Sequence, residues 1–103
     1  MTRVELASGV VEDFARILEH LVANAVEAPE NRMREIIAAI DVLALNPLIG
    51  RPTEHDLREL IIGRRARGYI ALYRFLADID TVFVLGIRSQ REAGYADRKG
   101  WEK

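Results

Sequence analysis

No cysteine occurs in the 103 residues, which excludes a disulfide framework, Cys-ligated metal centres, iron–sulfur clusters and thiol catalysis. That absence is compatible with a reducing cytoplasm, the expected location. Long hydrophobic runs are missing as well. The apolar stretches are four to six residues long, against the ~20 needed to cross a bilayer, so no membrane association is expected. Met1-Thr2-Arg3-Val4-Glu5-Leu6 contains no apolar segment ending in a small-residue cleavage site, and export is not expected either. There is no Walker loop, GxGxxG, HExxH, EF-hand loop or GxSxG.

Histidine is scarce, at two residues, and both have ordinary readings. His20 falls on the polar side of a helical pattern with no second ligand one turn on. His55, in Glu54-His55-Asp56, is the better candidate for a general base or metal ligand. Adjacent side chains project apart, however, and one triplet cannot fill a tetrahedral site, so a surface loop is expected. Ser8 and Ser89 have no predicted base beside them. No metal or cofactor is expected.

What remains is half apolar and 30% charged, with a formal net charge of -1. One domain, residues 1–103, is expected, with about residues 97–103 as a polar tail. A chain of this size buries roughly 65% of its open-chain surface, enough for one core. The near-neutral total hides a division of charge. Residues 1–56 carry five Arg against ten acids, whereas residues 57–103 carry eight Arg and two Lys against six acids. Thirteen of the fifteen cations are arginine, whose planar fork suits carboxylate and phosphate.

Periodicity sets the architecture. Val4 and Leu6 alternate as in a short opening strand, and Ser8 is placed to cap a helix. Val10, Phe14, Ile17, Leu21 and Ala25 recur at helical steps, with Glu12, Asp13, Arg16, Glu19 and His20 assigned to the solvated side. This predicts a helix over about 9–25, supported by a Glu12–Arg16 pair. Pro29 starts a second helix, carried by Met33, Ile36, Ile40 and Leu43 and closed by Asn46-Pro47. The short link makes the two an antiparallel hairpin. Residues 48–54 read as a Gly/Pro-punctuated loop. Three strands follow, Leu57–Ile62, Tyr69–Leu76 and Thr81–Ile87, with connections fit only for antiparallel neighbours. The expected fold is α+β, in the order β-α-α-β-β-β, with a helical hairpin packed on a small antiparallel sheet. The last two strands are apolar at nearly every position, so their second face is expected to be covered, by the chain's own tail or by a partner.

Arginine and tyrosine supply the candidate site. Arg64, Arg65 and Arg67 sit between Gly63 and Gly68. Tyr69, Tyr73 and Arg74 lie on the next strand, with Tyr69 and Tyr73 on one face. Arg88 and Arg91 follow at the end of the last strand, and Tyr95 beyond. Pairing Leu76 with Thr81 separates Arg74 from Arg88, whereas pairing Ala77 with Thr81 brings them together; both registers fit the sequence. Such a patch suits phosphate, nucleic acid or the carboxylates of a protein partner.

Several segments in this order resemble the RelE/ParE superfamily of type II toxin–antitoxin toxins. They are Asn46-Pro47-Leu48-Ile49-Gly50-Arg51-Pro52, Leu57-Arg58-Glu59-Leu60, the run from Arg67 to Phe75, and Val84 through Tyr95. The resemblance covers about 90 of the 103 residues. It implies a growth-arresting bacterial toxin neutralised by a cognate antitoxin, alone as a homodimer or with the antitoxin as a hetero-oligomer. Two activities occur in the superfamily. RelE-like members are ribosome-dependent endoribonucleases that cut mRNA; ParE-like members poison DNA gyrase and are not known to cleave anything. The chain is more similar to the ParE branch: its pI is about 6.1, the RelE-like Arg after Gly-Tyr is replaced by Ile70, and its Arg88-to-Tyr95 ending resembles ParE-like tails, with Ser89 where His often stands. The resemblance thus implies a gyrase inhibitor rather than a catalyst, with Arg64, Arg65, Arg67, Tyr73, Arg74, Arg88 and Arg91 facing target or antitoxin. Its alternative is a ribosome-dependent nuclease acting on mRNA through Arg74, Arg91 and Tyr95.

Overall fold

Val10, Ile17 and Leu21 form the inner side of a helix, α1 (Ser8–Ala23), and Ile36 and Ile40 that of a second, α2 (Pro29–Asp41). A computed structural model of the chain describes residues 1–63 and 68–90. Pro29 occupies the first turn of α2, as expected. The link between the helices turns through left-handed backbone at Ala25 and Ala28. A 3-10 turn over Val42–Ala44 then carries Leu43 fully into the core.

Beneath the hairpin lies one five-stranded sheet. Its strands are β1 (Arg3–Leu6), β2 (Arg51–Pro52), β3 (Arg58–Ile62), β4 (Tyr69–Leu76) and β5 (Thr81–Ser89), in the spatial order β1-β5-β4-β3-β2. The α+β hairpin-on-sheet architecture is the expected one. Two details correct the expectation. The sheet is mixed, because β1 runs parallel to β5, with Arg3 opposite Thr81 and Leu6 opposite Val84. The helical hairpin is the crossover that a parallel neighbour requires. Part of the expected loop is also a strand: Arg51 and Pro52 pair with Glu59 and Arg58, and proline is tolerated there because β2 is the sheet edge.

Ser8 is not the helix cap. Ala7 holds that position with extended backbone and no side-chain cap. Its N–H donates to the Val84 carbonyl at 2.9 Å, so pairing with β5 continues until the chain turns into α1, and Ser8 is already helical. Strand β4 lies between β5 and β3 and is buried on both faces. Tyr69, Ala71 and Tyr73 join the core cluster shared with the helices. Ile70 and Leu72, on the alternate positions, are only 5% and 3% exposed. The missing alternation therefore marks a central strand whose second face is covered within the single chain.

Candidate functional site

The placement of the two described site arginines depends on one residue. Leu76 pairs with Thr81, Arg74 with Phe83 and Tyr73 with Val84, but Leu72 then pairs with Gly86 and Ile70 with Arg88. Leu85 is left over as a β-bulge, which shifts the pairing by one. Of the two registers that fit the sequence, the structure has the one that would separate Arg74 from Arg88. The bulge reverses that outcome. Past it, Arg88 lies on the same face as Ile70, Leu72 and Arg74, the face turned away from the helices. Four strand positions separate Ile70 from Arg74, so the guanidinium-bearing backbones stand roughly 14 Å apart.

Both arginines are half-buried. Nη2 of Arg74 donates to the His55 carbonyl at 3.1 Å, and Nη1 of Arg88 donates to the Ser89 carbonyl at 3.3 Å. His55 and the following Asp56 both have φ of 61°. Two consecutive left-handed non-glycine residues cost about 1–3 kcal/mol each and persist only where the surroundings hold them; the Arg74 bond is one such hold. The Glu54–Asp56 segment is otherwise an exposed turn, as read for His55, and His20 is exposed on α1. Among the described residues no three His, Asp or Glu side chains come together as a metal site.

Tyr73 requires a correction. Its position puts it on the opposite face from Arg74, and its side chain is fully buried, so it presents no surface to a partner. The hydroxyl donates to the Pro47 carbonyl and accepts from the Gly50 N–H, each at 2.8 Å. Burial pushes the phenol above its ordinary 10.0, opposed by the Gly50 hydrogen bond and the positive charge of Arg58. Arg58, directly opposite Tyr73 on β3, donates to the Leu48 and Gly50 carbonyls at 3.2 and 2.8 Å. Together they fasten the loop before β2. Glycine is needed in that loop: a Cβ at position 50 would stand 2.6 Å from Tyr73 Cε1.

Arg64, Arg65, Arg67, Arg91 and Tyr95 lie outside the described residues. One residue that the sequence reading sent to solvent proves to be central. Asp13 is 1% exposed, accepts the Ile87 N–H at 2.8 Å and pairs with Arg16 at 3.3 Å. Arg16 in turn donates to the Ile87 carbonyl at 3.1 Å. This pair replaces a neighbouring strand for Ile87, beyond the end of β1, and fixes β5 immediately before Arg88. A signal was present: Asp13 lies three residues after Val10 and four before Ile17, within the apolar stripe.

Comparison with known proteins follows this geometry. A family described as "ParE toxin of type II toxin-antitoxin system, parDE" matches residues 4–94. Among solved structures, a chain from "Chromosomal ParDE TA system from P. aeruginosa" has a similar fold, with a TM-score of 0.67 and 22% identity. The match covers 86% of this chain and 96% of that one. No curated protein sequence matches.

Proposed function

The chain belongs to the ParE family of toxins of type II toxin–antitoxin systems, and from that premise we propose that it arrests growth by inhibiting DNA gyrase in the cytoplasm until a cognate antitoxin binds it. Arg74 and Arg88 are the described cations of the contact face; Arg64, Arg65, Arg67 and Arg91 extend it in this reading. The carrying observation is the pairing of Arg88 with Ile70 on that face. Where RelE-like relatives have a second cation, this chain has a buried aliphatic side chain. A phosphorane would then meet Arg88 without a cationic neighbour at that position, which favours protein binding over RNA cleavage.

The test is a side-by-side assay of the purified protein with gyrase and with translating ribosomes, alongside induction of the toxin alone. Gyrase-dependent DNA cleavage, filamentation and an SOS response with intact mRNA are expected. Rapid codon-dependent mRNA cutting on ribosomes would replace this reading with the nuclease one, centred on Arg74, Arg91 and Tyr95.

A further inference from the structure

A cavity of about 430 Å³ opens where β3 begins and β4 ends. Its lining includes Leu48, Thr53, Asp56, Arg58, Arg74 and Leu76, so two arginines and one aspartate contribute to it. Three features distinguish it from an ordinary surface hollow. Leu48 belongs to the loop that Tyr73 and Arg58 fasten from within, so one wall is preformed. The opposite rim is the left-handed His55–Asp56 turn, held by Arg74. Finally, Nε of Arg74 is buried and has no hydrogen-bond partner, an arrangement native structures avoid.

We propose that this cavity receives an acidic side chain next to an aliphatic one, presented by a protein partner of the toxin. The aliphatic group lies against Leu48 and Leu76, and the carboxylate accepts from the Arg74 guanidinium, turned slightly so that Nε gains the partner it lacks. Net positive lining selects a single negative charge over a neutral amide. Asp56 opposes the same carboxylate and keeps the isolated pocket weak, so a partner must supply affinity elsewhere. The inference rests on the reading that the chain acts through protein partners; it adds which peptide chemistry they bring to Arg74.

The experiment is a titration of the full ¹⁵N-labelled chain followed by NMR, including the arginine Nε–H signals. The probes are N-acetyl-Leu-Glu-amide, N-acetyl-Leu-Gln-amide, acetate and inorganic phosphate. The Glu peptide should shift the Arg74 Nε–H and the Thr53 and Leu57 amides saturably. The Gln peptide should bind about tenfold more weakly, the loss of one charge-assisted hydrogen bond. Arg74→Gln should abolish the response and Arg74→Lys weaken it. Asp56→Asn, which keeps a side chain tolerant of left-handed backbone, should tighten it. That gain remains decisive even if the Arg74 variants fold poorly. Equal binding of the Glu and Gln peptides, shifts confined to another surface, phosphate binding as well as the Glu peptide, or no gain in Asp56→Asn would each overturn the proposal. Growth arrest by the wild-type chain is scored separately. If arrest persists without peptide binding, the cavity assignment alone fails; if the wild type arrests nothing, the toxin reading fails.

Discussion

Tyr73 shows how one hydroxyl governs a loop. Tyr73→Phe would leave the Gly50 N–H and Pro47 carbonyl without their buried partner, at an expected cost of about 1–3 kcal/mol, read as a lower urea midpoint at unchanged slope. The same residue sets an alkaline limit. Its pKa is raised in the folded chain from 10.0, so the native state holds the proton more tightly than the unfolded one. That contribution is complete below the unfolded value and is lost as pH rises through the folded one. Stability curves of wild type and Tyr73→Phe should therefore converge above pH 10, whereas parallel curves would mean that the phenol does not ionise with unfolding. At this scale the sequence was partly legible. Arg74 and Arg88 could be named as surface cations, but whether Tyr73 faced a partner or the core depended on which side the helices covered, which strand alternation alone does not reveal. Asp13 was misassigned because its charge outweighed its position in the apolar stripe.

At the level of elements, the helical hairpin was readable because Val10, Ile17 and Leu21 repeat the helical step over about three turns, and Met33, Ile36 and Ile40 over about two. Strand β4 matched its sequence boundaries, Tyr69 to Leu76. The parallel pairing of β1 was not readable, since four residues contain no information about their neighbour. Nor was β2, a two-residue edge held by long-range pairing. The bulge left one trace, Gly86 inside a strand, which is a common sign of interrupted pairing. Its importance can be tested by length rather than by side chain. Deleting Leu85 alone removes the extra residue and leaves Leu72 opposite Gly86, Ala71 opposite Ile87 and Ile70 opposite Arg88, so that variant should still unfold cooperatively on heating. Deleting Leu85 and Gly86 together would place Ile87 opposite Leu72 and Arg88 opposite Ala71, turning Ile87 outward and Arg88 into the helix-facing core. Loss of cooperative thermal unfolding is expected for the double deletion, because a buried unpaired guanidinium is among the costliest defects. A stable, cooperative double-deletion variant would show that the register past Val84 does not set the faces.

Across the whole molecule, the division of charge follows the architecture. The acidic half builds β1 and the helical hairpin, and the more basic half builds most of the sheet with its outward-facing arginines. An acidic partner should therefore approach from the sheet side and be sensitive to salt. Reversing Arg64, Arg65 and Arg67 to Glu should weaken the antitoxin complex and flatten its dependence on ionic strength, measured by calorimetry at several salt concentrations. Unchanged affinity would remove those three residues from the interface. The buried second face of β4 meets its need for cover within one chain. Val11, Leu18 and Val22 on α1, and Ile37 on α2, are among the large apolar side chains left exposed.

The parallel pairing of β1 with β5 also has a consequence in time. Thr2 and Asp80, 78 positions apart, are joined by a hydrogen bond of 2.7 Å, and Arg3 next to them pairs with Thr81. At translation rates of about 5–20 residues per second, the first strand waits roughly 4–16 s for its neighbour to be synthesised. A chain released before residue 81 therefore lacks both Arg88 and the strand that β1 pairs with.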